Sequence, residues 1–191
     1  MARLESVALG GFYPTPTSVL PRIANLFEVA KNTTNLKTSF MDPCAGEAEA
    51  ILYLAKGCEI YACELEASRS VKAKKALGWP SEKNLLTGDA FRISFDKGSK
   101  GGVSVLFLNP PYDTDPVHGR LEQRFLERFV GAVMEGGFLI FVVPFYALKA
   151  SATLLGREFD QIECFRFPEG EFEVYKQVVL VAKKGPTLFE S

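Results

Sequence analysis

Residues 103–112 read VSVLFLNPPY, an apolar run that ends at two consecutive prolines. A run of β-branched and large apolar side chains is typical of a strand that is buried on both faces. Proline lacks an N–H and fixes its own φ angle, and it also pushes the residue before it out of the helical region. The stretch therefore predicts a buried strand that ends in a rigid turn at Asn109, and we expect the chemistry of the protein at that turn.

The turn offers hydrogen-bond acceptors without backbone donors. The Asn109 side-chain oxygen and the Pro110 carbonyl can accept hydrogen bonds from both protons of an –NH2 group, while the Tyr112 ring stacks on the planar group that carries it. Asn-Pro and Pro-Pro also occur as ordinary turn punctuation, so a strand-ending turn with a polar cap is the alternative.

Apolar runs and amphipathic segments along the chain predict about seven strands, of which the early ones alternate with helices. The expected strands are residues 38–42, 58–63, 84–90, 103–108, 138–143, 161–167 and 177–182. The expected helices are residues 17–31, 47–56, 67–77, 125–134 and 146–155. This alternation predicts an α/β fold with a doubly wound, mainly parallel sheet. Too little chain separates the last two strands for a helix, so the last strand should be antiparallel.

Length and composition set limits on the class of protein. A chain of 191 residues suits a single domain, with an N-terminal arm and helix at 1–35, a core at 36–184 and a tail at 185–191. The formal net charge of −1 gives no global sign of a nucleic-acid binder. The four cysteines form no CxxC pair and there is one histidine, so we expect no metal site. The absence of a signal peptide or a long apolar span predicts a soluble cytoplasmic protein without membrane contact.

Acidic residues end three of the expected strands. Asp42 begins a glycine-containing loop and can meet a charged amine. Glu64 lies 22 positions later, about the spacing at which an acid reaches ribose hydroxyls in nucleotide-binding units. Asp89 can accept a hydrogen bond from an adenine amine. Alternatively, Asp42 and Asp89 cap helices and Glu64 is a surface acid. The first loop has one glycine where a dinucleotide fingerprint needs three, which favours an adenosine ligand without a diphosphate.

Together with the Asn-Pro-Pro-Tyr turn, these residues resemble a known family over roughly residues 12–183. The sequence resembles the Rossmann-like class I S-adenosylmethionine-dependent methyltransferases that carry an (Asn/Asp)-Pro-Pro-(Tyr/Phe) motif, typified by DNA adenine-N6 methyltransferases. The resemblance implies S-adenosylmethionine as cofactor and an exocyclic amine, N6 of adenine in DNA, as acceptor. It assigns the catalytic motif to Asn109, Pro110, Pro111 and Tyr112. It assigns cofactor binding to Tyr13, Thr15, Pro16, Asp42, Cys44, Ala45, Gly46, Glu64, Leu65, Asp89, Ala90 and Asn109.

The acceptor side is less specific in the sequence. An adenine flipped out of a duplex needs a second ring opposite Tyr112, for which Phe172 is the first candidate and Tyr175 the next, in an exposed loop at 167–175. These rings are equally well explained as core residues of an edge hairpin. Arginines at 120, 124 and 128 near the turn are candidates for phosphate contacts or for salt bridges.

The choice of acceptor and partner stays open at this stage. The same tetrapeptide occurs in enzymes that methylate RNA bases or protein glutamine side chains, and a non-catalytic cofactor-binding subunit is a further alternative. Relatives that act on defined DNA sequences usually carry a target-recognition domain, and 191 residues leave no room for one of ordinary size. This favours a partner subunit that supplies specificity, a loosely specific enzyme, or a compact substrate other than DNA. We expect a nucleic-acid partner, with DNA favoured over RNA, and a specificity subunit or a homodimer is a candidate assembly.

Overall fold

The protein, seen in a computed structural model, is described over residues 13–27, 38–78, 84–95, 102–115, 117 and 119–186. Its helices are α1 (Leu20–Ala24), α2 (Glu49–Leu54), α3 (Ala67–Ala76), α4 (Leu121–Phe129), α5 (Leu148–Glu158) and α6 (Glu171–Tyr175). Its strands are β1 (Ser39–Asp42), β2 (Glu59–Glu64), β3 (Leu85–Thr87), β4 (Val103–Leu108), β5 (Thr114–Asp115), β6 (Gly119–Arg120), β7 (Val133–Pro144), β8 (Phe159–Arg166) and β9 (Gln177–Lys184).

Seven strands form one sheet in the order β3-β2-β1-β4-β7-β9-β8, while β5 and β6 pair in a separate hairpin. β9 is antiparallel to both of its neighbours, and the pairings among β1, β2, β3, β4 and β7 are parallel. The predicted α/β sheet, mainly parallel with an antiparallel last strand, is therefore confirmed. The strand order reverses between β1 and β4, and ligands of such sheets bind at the carboxyl ends of the strands beside this switch.

Two apolar cores cover the two faces of the sheet. On one face, Phe40 and Phe107 lie beneath side chains of α1, α2 and α3, which include Ile51. On the other face, Leu106 and Leu108 lie beneath α4 and α5. These side chains are almost fully buried, and each contributes roughly 1.5–3 kcal/mol to stability. The cores fix the central strands, and so the position of the turn that follows β4.

The expected boundary between α4 and β7 is wrong. α4 ends at Phe129 instead of near residue 134, and β7 begins at Val133 instead of residue 138. The pairing of β4 with β7 shifts register between Val103 and Val105, and Gly136 within the shifted segment has φ +73°. The two glycines that indicated the start of a strand therefore lie in an irregularity inside it.

Other boundaries differ because polar loops contain short elements. α4 begins at Leu121, and the β5–β6 hairpin precedes it, where the sequence predicted a loop. The loop expected at 167–175 contains α6. The expected first helix extends into residues 28–31, which lie outside the described residues. Within the part of the chain that is described, no helix combines the length and the apolar character needed to span a bilayer.

A stability test follows from the contact between Gly102 and the start of β7. A Cβ atom at Gly102 would lie 2.3 Å from the Ala132 carbonyl oxygen and 2.8 Å from the Met134 nitrogen. We expect Gly102→Ala to lower the free energy of unfolding by about 1–3 kcal/mol, because backbone atoms must move apart. The matched control is Gly156→Ala in α5, where the new Cβ meets nothing within 4 Å. It should raise the free energy of unfolding by about 0.5–1 kcal/mol. Urea denaturation measures both, and equal stability of the two variants would contradict the close approach.

Candidate active site

Asn109 is the first residue after β4 and joins three parts of the chain. Its Nδ2 donates hydrogen bonds to the Tyr13 carbonyl oxygen at 2.8 Å and to Thr15 Oγ1 at 3.1 Å. Its Oδ1 accepts a hydrogen bond from the Tyr112 hydroxyl at 2.7 Å. The side-chain amide is therefore held at both ends, and the segment that contains Tyr13 and Thr15 is fixed against the end of the strand.

The Tyr112 hydroxyl lies inside this network. Its oxygen accepts a hydrogen bond from Gln177 Nε2 at 2.7 Å, and the Val142 carbonyl oxygen lies 3.3 Å away. Burial raises the pKa of Tyr112 well above its usual value, so the hydroxyl stays protonated and donates. The Tyr112 ring is stacked on the Tyr13 ring, with ring centroids 5.2 Å apart and planes 9° from parallel.

The ring beside Tyr112 is thus Tyr13, which the sequence assigned to the cofactor. Phe172 lies on α6, where its ring centroid is 6.3 Å from that of Phe145 and 4.7 Å from the Arg166 guanidinium carbon. The side chain of Tyr175 is outside the described part of the structure. A role for Phe172 or Tyr175 beside an acceptor stays a prediction.

Asp42, at the end of β1, is buried at the edge of a loop. Its Oδ1 accepts a hydrogen bond from the Cys44 backbone N–H at 2.9 Å. Burial raises the pKa of Asp42 to about 7, and the nearby Glu64 carboxylate raises it further, against the lowering effect of the Cys44 hydrogen bond. A cation near this carboxyl group would favour its ionised form.

Glu64, at the end of β2, ties the same loop to α3. Its Oε2 accepts a hydrogen bond from the Gly46 N–H at 2.9 Å, and its Oε1 is 2.8 Å from Arg69 Nη2. The side chain is buried, so the alternative that Glu64 is a surface acid is wrong. Ala48 in this loop has φ +70°, a conformation that a non-glycine residue rarely adopts.

Asp89 follows β3 and caps a 3-10 turn. Its Oδ1 accepts a hydrogen bond from the Phe91 N–H at 2.9 Å, and its Oδ2 lies 3.5 Å from Arg92 Nε. The capping alternative therefore holds for Asp89, which also lines a cavity. Because a carboxylate has about four lone-pair sites, Asp89 can cap the turn and still accept a hydrogen bond from a ligand in the cavity.

Two adjacent cavities lie along the carboxyl ends of β1, β2, β3 and β4. The first has a volume of about 250 Å³ and the second about 440 Å³. Tyr13, Cys44 and Asn109 line both. Most of the predicted cofactor residues are brought together here: Thr15, Asp42 and Ala45 line the first cavity, and Glu64, Leu65, Asp89 and Ala90 line the second. Pro111 of the predicted catalytic motif also lines the second. Pro16, Gly46, Pro110, Tyr112 and Phe172 line neither of these two cavities.

Sequence reasoning missed several residues at these cavities. Glu47 and Glu49 line the first, and Arg69 and Phe91 line the second. Arg124, which the sequence suggested for phosphate contacts or salt bridges, also lines the second. The position of Glu47 and Glu49 at the start of the helix expected after the β1 loop was the available signal for these two residues. The others reach the cavities through tertiary packing, for which the sequence carries no local pattern.

The arginines near the turn make contacts within the protein. Arg120 pairs with the buried Glu122 at 2.6 Å, and Arg128 donates a hydrogen bond to the Ile93 carbonyl oxygen. Arg124 lies over the Phe91 ring at 5.0 Å. Phosphate contacts by these arginines stay a prediction. In the described ranges, no group of three or more histidine, cysteine or acidic side chains is placed to hold a metal ion.

Comparison with solved structures shows the fold. A putative class I S-adenosylmethionine-dependent methyltransferase from Listeria monocytogenes is 18% identical with a TM-score of 0.72, and the match covers 93% of this chain and 62% of that one. A type I restriction-modification methyltransferase subunit from Streptococcus thermophilus is 16% identical with a TM-score of 0.67, over 92% of this chain and 45% of that one. This chain thus spans less than two thirds of either protein.

A smaller relative matches over nearly its whole length. An RNA methyltransferase from Salinibacter ruber, solved in complex with S-adenosyl-L-homocysteine, is 16% identical with a TM-score of 0.54, over 94% of this chain and 98% of that one. No curated protein sequence matches the chain. One family model matches residues 1–186, almost the entire sequence, and the chain therefore belongs to the uncharacterised methyltransferase family DUF6094.

Proposed function

We propose that this methyltransferase transfers a methyl group from S-adenosylmethionine to an exocyclic amine, and that the amine is N6 of adenine in DNA. The position of Asn109 carries the proposal. The residue lines both cavities, and its Oδ1 accepts a hydrogen bond from Tyr112 while a second lone pair can accept a hydrogen bond from the acceptor amine.

The residues along the two cavities fit S-adenosylmethionine. The first cavity has the carboxyl groups of Asp42, Glu47 and Glu49, which suit the ammonium group of the methionine part. The second has Glu64 for the ribose hydroxyls, and Asp89 with the apolar walls of Leu65 and Phe91 for the adenine. Cys44 stands between them, and burial raises the pKa of its thiol well above the usual value, so the wall at this point is uncharged.

When bound, S-adenosylmethionine supplies an electrophilic methyl group on a sulfonium. The chain's own residues must make the acceptor nucleophilic, because the lone pair of an exocyclic amine is delocalised into its ring. Asn109 Oδ1 and the Pro110 carbonyl oxygen accept hydrogen bonds from the two N–H groups of the amine, which favours tetrahedral geometry at nitrogen and frees its lone pair. The nitrogen would gain the methyl group as the methyl–sulfur bond breaks, and it would then lose one proton to solvent. The same oxygens stabilise the positive charge that develops there, so the rate gain comes from positioning and electrostatics.

DNA is the proposed acceptor because the Asn-Pro-Pro-Tyr turn resembles the motif of DNA adenine-N6 methyltransferases. The geometry adds a constraint on how a base can reach this turn. A duplex adenine must be flipped out to reach Asn109, and the face of Tyr112 is covered by the Tyr13 ring. A base can stack on the covered face of Tyr112 only after the Tyr13 ring has moved away from it. The base-stacking step therefore needs a displacement of the segment that contains Tyr13.

We expect Asn109→Ala to lower methyl transfer to DNA by about 10²–10³-fold, the usual loss when a group that stabilises developing charge is removed. Incorporation of labelled methyl groups into unmethylated DNA measures the rate. Asn25→Ala, the same substitution at an exposed asparagine after α1, is the matched control and should leave the rate unchanged. Turnover by Asn109→Ala within threefold of the wild type would remove Asn109 from the mechanism.

The acceptor class has a separate test. We expect the purified chain to label unmethylated DNA, and to label it faster when the adenine is unpaired, because flipping then costs least. RNA and a protein extract serve as competing acceptors in parallel reactions. Labelling of RNA or of a glutamine side chain in place of DNA would contradict the proposed acceptor, and labelling of none would contradict independent catalysis.

Asp42 makes cofactor binding depend on pH. Its pKa of about 7 means that the carboxyl group is mostly protonated at pH 6 and mostly ionised at pH 8. Because the ionised form attracts a cation, affinity for S-adenosylmethionine should rise by up to about tenfold over this interval. Calorimetric titration at both pH values checks this in the wild type and in Asp42→Asn. The ligand's own amine titrates equally with both proteins, so a pH dependence that persists in Asp42→Asn would contradict the assignment.

A further inference from the structure

Gln177 is a buried polar residue that the sequence did not single out. Gln177 is the first residue of β9, only 1% of its surface is exposed, and it pairs in the sheet with Pro144 at the end of β7. Its backbone carbonyl accepts a hydrogen bond from the Phe167 N–H at 3.1 Å, so the position is fixed on both sides. Its Nε2 donates to the Tyr112 hydroxyl oxygen, 65 residues earlier in the chain.

This hydrogen bond from Gln177 determines which acceptor receives the hydrogen bond that the Tyr112 hydroxyl donates. A phenol has one proton to donate, and the Gln177 –NH2 group can only donate to it. The Tyr112 proton is therefore free for a carbonyl acceptor, and the Asn109 oxygen at 2.7 Å is closer than the Val142 oxygen at 3.3 Å. The hydrogen bond from Gln177 thus directs the hydroxyl proton to Asn109.

The same chain of hydrogen bonds continues to the other end of the site. With its oxygen held by Tyr112, Asn109 must present its nitrogen to the Tyr13 carbonyl oxygen and Thr15 Oγ1. Hydrogen bonds in such a chain polarise one another, so each link strengthens the next. Gln177 is therefore connected through two side chains to the segment whose Tyr13 lines both cavities.

We propose that Gln177 is a positioning residue for methyl transfer, which fixes the orientation of the Asn109 amide through Tyr112 and so keeps Oδ1 directed at the acceptor amine. The inference rests on the function proposed above. Gln177 touches neither of the two cavities, so its effect is on the geometry of the acceptor amine and not on cofactor affinity.

Two substitutions of similar size separate polarity from packing. Gln177→Glu replaces the –NH2 donor with a carboxylate acceptor, so the Tyr112 hydroxyl donates to this carboxylate instead of to Asn109 Oδ1. Gln177→Met removes the –NH2 donor without adding an acceptor of this strength. We expect kcat for DNA methylation to fall about tenfold to a hundredfold in Gln177→Glu and less in Gln177→Met. The Kd for S-adenosylmethionine, measured by calorimetry, should change less than threefold. Gln161→Glu, at an exposed position of β8, is the matched control.

A double-mutant cycle with Tyr112→Phe tests the connection itself. Without the hydroxyl, Gln177→Glu should change kcat by less than threefold. An equal loss of kcat in both backgrounds would mean that Gln177 acts through packing and would overturn the proposal. No loss of kcat in the wild-type background would overturn it as well.

A spectroscopic measurement keeps this inference separate from the proposed function. In NMR spectra of the protein with labelled asparagine, the Asn109 side-chain amide signals should shift in Gln177→Glu. They should not shift when the same change is made in Tyr112→Phe. Failure of the wild type to methylate any acceptor would reject the proposed function, while the NMR comparison would still decide whether Gln177 orients Asn109. Unchanged Asn109 signals in Gln177→Glu would overturn the inference.

Discussion

The hydrogen bonds of one side-chain amide, that of Asn109, hold the candidate site together. They join the turn that follows β4, which includes Tyr112, to the Tyr13–Thr15 segment more than 90 residues earlier in the chain. Two prolines follow Asn109 and remove the backbone donors that would compete for its oxygen. The strand behind it is buried on both faces, so the amide is presented from a rigid support at the reversal of strand order.

The electrostatic character of the site follows from burial of acidic groups at strand ends. Asp42 and Glu64 lie close together with little solvent, which raises the pKa of Asp42 into the physiological range. Glu64 is compensated by Arg69 and by the Gly46 N–H, so the loop after β1 is stabilised by the end of β2. The acidic residues that line the first cavity suit a cationic ligand.

The sequence predicted the fold and many of the residues along the two cavities better than it predicted the acceptor side. Apolar strands and strand-end acids are local patterns, so the parallel sheet and the convergence of Asp42, Glu64, Asp89 and Asn109 were recognisable. The roles of Tyr13 and Gln177 depend on contacts with Tyr112 across 99 and 65 positions, which no local pattern encodes. The start of β7 was misplaced because Gly136 is typical of a turn and here serves an irregularity within a strand.

The central claim is that the cleft at the ends of β1, β2, β3 and β4 binds S-adenosylmethionine selectively. Calorimetric titration of the purified chain with S-adenosylmethionine, ATP and NAD in separate experiments tests it most directly. We expect saturable binding of S-adenosylmethionine and none of the other two, because the cleft has acidic groups where a diphosphate would need donors. Equal binding of ATP or NAD, or no binding of S-adenosylmethionine, would contradict the account.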